Sequence, residues 1–165
     1  MGFLSKLLNQ EAMLSLQQEF KLLIIKKTKI LAEYAKGLES IVDEAEEFKA
    51  AVGNVNAELL IKKITIIDDN FAKQEHDLFL DYAKVIKKYR KLSLVEIKQV
   101  HELALAEVKN KVNIAVAYVS NEAKNIMPTA TRIKLIGPAK ARLDYLANLT
   151  LDKQISEFED ILNKI

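Results

Sequence analysis

The chain contains no cysteine and no tryptophan, and it has only two prolines and four glycines among its 165 residues. The absence of cysteine excludes a disulfide framework, a thiolate nucleophile and a cysteine-ligated metal. Proline and glycine are the residues that most often interrupt regular structure, so their scarcity favours long helices. Half of the residues are hydrophobic and 29% are charged, so the chain can form a core and disorder is disfavoured.

An excess of one charge and a long apolar run are also missing. The formal net charge is only +2, and three of the basic residues are arginines, so specific nucleic-acid binding is not expected. The longest uncharged run, from Val112 to Asn121, has ten residues, whereas a membrane-spanning helix needs about 20. Lys6 and Glu11 interrupt the start, which argues against a secretory signal. We expect a cytoplasmic protein, either free or peripheral to a membrane.

Apolar residues recur at alternating steps of three and four over much of the first 52 residues, which predicts a long helix with a coiled-coil-like seam. The clearest part of this seam consists of Leu31, Tyr34, Leu38, Ile41, Ala45, Phe48 and Val52. The pattern continues through Gly37, so this glycine is predicted to lie inside the helix. Gly53 and Asn54 are predicted to cap the helix and to form a tight turn.

Three further helices are predicted from the remaining breaks. Ser93 and Glu96 form a capping box, Pro128 is predicted to end the helix that begins there, and Gly137-Pro138 marks another break. The predicted helices cover about 11–52, 55–92, 94–127 and 139–165, after an amphipathic leader over residues 1–10. The prediction is a single all-α domain over 1–165, an elongated antiparallel bundle of about four long helices with coiled-coil-like packing.

Histidine is too sparse for the metal sites that helical bundles commonly hold. His76 and His101 each follow a lysine by three positions, which excludes the Glu-x-x-His units of a di-iron centre. His76 is predicted to be solvent-exposed and His101 to lie on the flank of the bundle. No phosphate-binding loop or nucleophile elbow is present. We expect a non-enzyme without metal or cofactor and without reactive groups between its helices; the alternative is an unrecognised helical hydrolase or metal site.

A dense basic cluster lies near the end of the second predicted helix, and it is called the basic patch below. It consists of Lys84, Lys87, Lys88, Arg90 and Lys91. A basic cluster at the tip of a molecule can bind anionic lipid or another acidic surface. The alternative is internal pairing, because an up-and-down arrangement would bring Glu157 and Asp160 toward the basic patch and Glu46 toward Arg132.

The most distinctive local pattern is the leader. On a helix, Phe3, Leu4, Leu7 and Leu8 share one side, while Lys6 lies on the polar remainder, as in helices that lie in a lipid interface. This opening resembles that of the phage-shock-protein A family and, more loosely, the amphipathic leader of membrane-remodelling hairpin proteins of the ESCRT-III kind. The resemblance covers only the opening and does not extend to the long coiled hairpin of either family. The alternative is that this side packs on a neighbouring helix or subunit.

Excess apolar surface favours self-association. Leu22, Leu23, Ile24 and Ile25 face several directions of one helix, more than one neighbour would cover. We therefore expect a non-catalytic helical scaffold that forms homo-oligomers and contacts an anionic membrane surface or a helical protein partner through its amphipathic N-terminus. The alternative is a soluble helical bundle that binds an apolar ligand such as lipid.

Overall fold

The computed structural model describes residues 2–54, 56–135 and 137–165, and in these ranges it contains six helices and no strand. The helices are α1 Phe3–Val52, α2 Ala57–Lys88, α3 Leu94–Glu107, α4 Lys109–Arg132, α5 Pro138–Ala147 and α6 Leu151–Lys164. The all-helical prediction is confirmed. The predicted arrangement of about four antiparallel helices is not confirmed, because there are six. Met1 and Val55, where the leader and the second helix are predicted to begin, lie outside the described residues.

The first helix, α1, is the longest and runs without a break from the leader to its cap. Its 50 residues span about 75 Å at 1.5 Å per residue. Gly37 lies inside it as predicted, and a Cβ atom at this position would approach Ile67 Cδ1 of α2 to 3.0 Å. Gly53 ends it with φ 83° and donates its N–H to the Lys49 carbonyl oxygen, which confirms the predicted cap.

One side of α1 forms the centre of the core. Leu16, Phe20, Leu38 and Val42 are completely buried on this side. The predicted seam is buried from Leu31 to Ile41 and half-buried at Ala45, but Phe48 and Val52 at its end are exposed. The apolar pattern therefore predicts the core side correctly over most of its length, and α1 extends beyond the buried part at its carboxyl end.

Ion pairs show how the helices run along α1. Three pairs join it to α2: Glu19 with Lys88, Lys26 with Asp81 and Glu44 with Lys63. The residue number on α2 falls as the number on α1 rises, so α2 runs antiparallel to α1. At the other flank, Lys21 pairs with Glu107 of α3, and Glu46 pairs with Arg132 of α4, so the course from α3 to α4 is parallel to α1.

The predicted helix over 94–127 is two helices that meet at Val108. Its start is confirmed, since both hydrogen bonds of the Ser93–Glu96 capping box are present at 3.0 and 3.1 Å. Backbone hydrogen bonds cross the junction, because the Val108 N–H donates to the Ala104 carbonyl oxygen at 3.3 Å and the Val112 N–H donates to the Val108 carbonyl oxygen at 2.9 Å. Val100, Ala104, Val108 and Val112 are all buried, so the apolar side continues from α3 into α4.

The prediction that Pro128 ends its helix is wrong, because α4 continues through it to Arg132. Proline removes one backbone N–H donor and usually interrupts a helix at a cost of about 3 kcal/mol. Burial of Ala130 and Ile133 and the Arg132–Glu46 ion pair at 2.6 Å hold the last turn in place. Tertiary contacts thus outweigh the local signal.

The predicted helix over 139–165 is also divided, into α5 and α6. Thr150 caps α6 by accepting a hydrogen bond from the Lys153 N–H at 3.3 Å, and Leu149 before it is buried. The break before α5 is confirmed: Gly137 has φ 73° and ψ −149°, and Pro138 is the first residue of the helix. The signal for the second break is the spacing of five between Leu146 and Leu151, which no helical stripe fits.

An aromatic cluster of Phe20, Tyr82, His101 and Phe158 joins α1, α2, α3 and α6. The rings of His101 and Phe158 are stacked, with centroids 3.5 Å apart and an interplanar angle of 1°. His101 is only 4% exposed, so its predicted place on the flank of the bundle is wrong. Burial, with a smaller contribution from the charge of Lys27, lowers the pKa of His101 to about 3.

The buried His101 should make stability depend on pH. Its pKa of about 3 in the folded state lies below the unfolded value of 6.5, so the unfolded chain binds more protons between these values. The stability that the neutral, buried His101 contributes is fully present above pH 6.5 and is lost as the pH falls toward 3. In denaturant titrations, His101→Phe should remove about 2 to 3 kcal/mol of the stability difference between pH 7.5 and pH 4.5. The exposed His76→Gln is the control; an equal effect of both would refute this assignment.

The backbone of Gly137 lies in a region that side chains other than glycine rarely adopt. Although a Cβ atom there would meet no atom within 4 Å, Gly137→Ala should therefore cost about 1 to 3 kcal/mol of unfolding free energy. Gly2→Ala is the control, because Gly2 also has open space around it but has φ −74°. Chemical denaturation measures both, and equal effects would contradict the strain at Gly137.

Candidate functional site

The leader forms the first turns of α1 and leaves its apolar side uncovered. Phe3 is 80% exposed, Leu4 71% and Leu8 62%, while Leu7 is 40% exposed and Lys6 is also at the surface. These four apolar residues lie opposite the side of α1 that carries Leu16 and Phe20, since each residue advances 100° around a helix. Within the described residues no neighbouring helix covers this side, so the alternative of packing on a helix of the same chain is not observed.

The same uncovered side continues along α1. Leu14 is 61% exposed, Leu22 69% and Ile25 36%, and with Leu7 they fall within about 80° of the helix circumference. Leu23 and Ile24, by contrast, are buried in the core. The four consecutive apolar residues 22–25 thus divide between core and solvent. Exposed apolar side chains recur on this side of α1 from Phe3 to Ile25, with Glu11 and Gln18 between them.

The basic patch lies at the carboxyl end of α2 and in the turn that follows. All five of its side chains are exposed. Lys88 pairs with Glu19 at 3.2 Å, and the hydrogen bond and charge of Glu19 raise the pKa of Lys88. In the described part of the chain, Lys84, Lys87, Arg90 and Lys91 make no ion pair. The predicted approach of Glu157 to the basic patch is not observed, because Glu157 pairs with Lys27. The predicted pairing of Glu46 with Arg132 is present.

The leader and the basic patch are at the same end of the molecule. The Glu19–Lys88 pair places the end of α2 beside Glu19. Phe3 precedes Glu19 by 16 residues, or about 24 Å along the axis of α1, and Arg90 and Lys91 follow Lys88 toward the same end. This end therefore combines exposed apolar side chains with exposed cations.

A polar pocket of about 480 Å³ lies between α1, α2 and α6. Its charged or titratable lining residues are Lys27, Glu75, His76, Glu157, Asp160 and Lys164. Ionisable groups thus converge between the helices at this place, which bears directly on the expectation that no reactive groups lie there. Sequence reasoning missed the pocket because its residues come from three helices that are distant in sequence.

The inner charges of the polar pocket are paired. Glu157 accepts hydrogen bonds from Lys27 and from the Tyr145 hydroxyl, and Arg142 pairs with Glu75 at 3.0 Å. Burial raises the pKa of Glu75 and, together with Glu157, the pKa of Tyr145. This network of charges joins α1, α2, α5 and α6. Because each inner carboxylate already has a cationic partner, these inner groups offer no free base or nucleophile.

An apolar groove lies at the end of the molecule opposite the leader. It has a volume of about 630 Å³, within the range of about 300 to 1,000 Å³ typical of ligand pockets. Its apolar walls are Leu60, Ile61 and Ile64 of α2 together with Ile133, Leu135, Pro138 and Ala139. Lys49, Arg132, Lys134, Asp68 and Asp69 also line it. The cluster of apolar residues at 59–67 indicates the α2 wall of this groove in the sequence. The opposite wall, which runs from Ile133 to Ala139, has no comparable sequence signal.

Metal binding and membrane spanning find no support in the part of the chain that the structure describes. Its His, Asp and Glu side chains form no group of three or more that could hold a metal ion. Among the same residues, no helix combines the length and the apolar character needed to cross a membrane.

Comparison with models of protein families, with curated proteins and with solved structures finds no match to this chain.

Proposed function

We propose that this protein is a non-catalytic helical scaffold that docks on an anionic membrane surface through the end formed by the leader and the basic patch, and that it self-associates along α1. A helical protein partner is the other occupant that this end could accept. The observation that carries the proposal is the placement of the exposed side of Phe3, Leu4 and Leu8 at the same end as the unpaired cations. The protein then acts at the membrane periphery on the cytoplasmic side.

The two parts of this end suit the two layers of a membrane surface. An amphipathic helix places its apolar side at the boundary between headgroups and acyl chains, and its affinity grows with the apolar area buried. Each lysine or arginine near an anionic surface adds about 1 kcal/mol, and this contribution falls with salt. A single short apolar helix binds weakly, so two signals at one end favour stable docking.

Self-association is supported by the exposed apolar side chains that continue along α1 beyond the leader. Leu14, Leu22 and Ile25 are exposed on the same side of α1, where they alternate with Glu11 and Gln18, and large exposed apolar side chains grouped on one side are typical of interaction surfaces. A second copy packed along α1 would cover them and leave the leader free to meet the membrane.

A non-catalytic role is favoured by the chemistry of the polar pocket. Catalytic sites hold a nucleophile or base ready to react, whereas Lys27, Glu75 and Glu157 each have an oppositely charged partner. His101 is buried against Phe158, where it stacks on a ring that offers no proton to transfer.

Binding of an apolar ligand is the second candidate function. The interior is filled by the aromatic cluster around Phe20 and Phe158, and the cavity beside His101 is only about 10 Å³. The apolar groove at the far end is the observation that favours a ligand, at the surface instead of in the interior.

Vesicle pelleting tests the docking proposal. Leu4→Ser with Leu8→Ser should weaken binding to anionic vesicles at least about 100-fold, because each leucine buried in the interface contributes about 1.5 to 3 kcal/mol. The matched control is Ile66→Ser with Leu80→Ser, since both residues are exposed on α2, at 61% and 43%. Equal losses in the two variants, or no pelleting of the unmodified chain, would overturn the proposal.

The basic patch is tested in the same assay. Lys84→Gln, Lys87→Gln and Lys91→Gln together should remove about 3 kcal/mol at low salt, and the loss should shrink as salt is raised. The control variant neutralises three exposed lysines elsewhere: Lys62, Lys73 and Lys124. If the control loses as much affinity, net charge alone explains binding and the basic patch has no special role.

Self-association is measured by sedimentation across a range of concentrations. The unmodified chain should form dimers or larger assemblies, and Leu14→Glu with Leu22→Glu should shift it to monomer, because charges would be buried in the contact. Ile66→Glu serves as the control on the α2 surface and should leave assembly unchanged. A clean monomer of the unmodified chain at the highest attainable concentration would remove self-association from the proposal.

A further inference from the structure

We propose that the apolar groove at the end opposite the leader binds a fatty acid, with the carboxylate head beside Lys49 and Lys134 and the alkyl chain along Ile61 and Ile64. This inference rests on the second candidate function and names its site and ligand. It is independent of membrane docking, because the groove and the leader are at opposite ends of α1.

The groove has the apolar area that an alkyl chain requires. α2 contributes Leu60, Ile61 and, one turn later, Ile64, and the other wall includes Leu135, which follows α4, and Ala139 at the start of α5. Ile61 is 56% exposed although it lies inside this concave surface. An apolar side chain in a concave site that nothing in the described chain covers gains most from an apolar ligand.

The cations of the groove select the charge of the ligand. Lys49 belongs to the carboxyl end of α1, and Lys134 follows α4; among the described residues neither makes an ion pair. Arg132 is already engaged by Glu46 at 2.6 Å. Two lysines without a carboxylate partner, at one end of an apolar groove, complement an anionic head.

The carboxylates of the groove are at its other end. Asp68 and Asp69 follow Ile61 by about two turns of α2, whereas the Glu44–Lys63 pair places the carboxyl end of α1, and with it Lys49, near the start of α2. Asp68 accepts a hydrogen bond from the Tyr34 hydroxyl. The carboxylate head of the fatty acid must therefore lie at the lysine end of the groove, and its alkyl chain must stop before Asp69.

Lys134 is held in an unfavourable backbone conformation. Its φ is 59°, and it occupies the position after α4 where glycine is usual. The Lys134 N–H donates to the Thr131 carbonyl oxygen, and the Leu135 N–H donates to the Ala130 carbonyl oxygen. A lysine in this left-handed conformation is strained relative to glycine. Strain of this kind is typical of functional positions, and here it places a cation in the wall of the groove.

Calorimetric titration with sodium dodecanoate, below micelle formation, tests the proposal on the full chain. We expect one ligand per protein molecule. The affinity should rise about fourfold per methylene from octanoate upward, until the alkyl chain is long enough to reach Asp69. Dodecyltrimethylammonium, with the same chain and a cationic head, should bind at least about tenfold more weakly. Equal affinity for both heads, or no saturable binding of dodecanoate, would overturn the assignment.

Variants separate the groove from general surface effects. Ile61→Glu should weaken dodecanoate binding at least about tenfold, because it places a carboxylate in the path of the chain. Ile66→Glu, the same change at an exposed residue of α2 outside the groove, should leave binding unchanged. Equal losses in the two variants would contradict the site.

Lys134→Gly distinguishes loss of the head contact from loss of folding. It should raise the melting temperature, because glycine relieves the strained backbone, and yet weaken dodecanoate binding about tenfold. A variant that is more stable and binds dodecanoate as well as the unmodified chain would exclude Lys134 from the site. Deletion of residues 1–10 should leave dodecanoate binding intact, so failure of the membrane proposal and failure of this one give different results.

Discussion

Burial of one side of α1 positions the other helices of the fold. Phe20 and Leu38 are completely buried on that side, and α2, α3 and α4 all pack against α1. The length of α1 exceeds that of every other helix, since α2, the next longest, has 32 residues against 50. The ends of α1 therefore receive less cover than its middle, and both proposed binding surfaces lie at those ends.

The two ends differ in chemistry because different segments meet there. At the amino end, the exposed side of Phe3 and Leu4 lies at the same end of the molecule as the free cations of the basic patch, which suits a broad anionic surface. At the carboxyl end, Ile133, Leu135 and Pro138 line a concave apolar groove together with α2, which suits a single alkyl chain. Between them, the paired charges of the polar pocket and the aromatic cluster hold the helices together.

Features encoded by neighbouring residues are predictable from the sequence, and features that need distant segments are not. The cap at Gly53, the capping box at Ser93 and the amphipathic leader depend on a few adjacent residues. The continuation of α4 through Pro128 depends on burial of the turn that follows, and the burial of His101 depends on Phe158 from another helix. The groove combines three separate segments, of which only the apolar cluster of α2 is visible in the sequence.

Docking through the leader end predicts that residues at this end, and not those elsewhere on the surface, enter the membrane. Because the chain has no cysteine, a single cysteine can be introduced at Leu4 or, at the far end of α1, at the exposed Phe48, and labelled with a polarity-sensitive dye. On addition of anionic vesicles, the dye at position 4 should report transfer to an apolar environment, while the dye at position 48 should be unchanged. No shift at position 4, or an equal shift at both positions, would contradict the account.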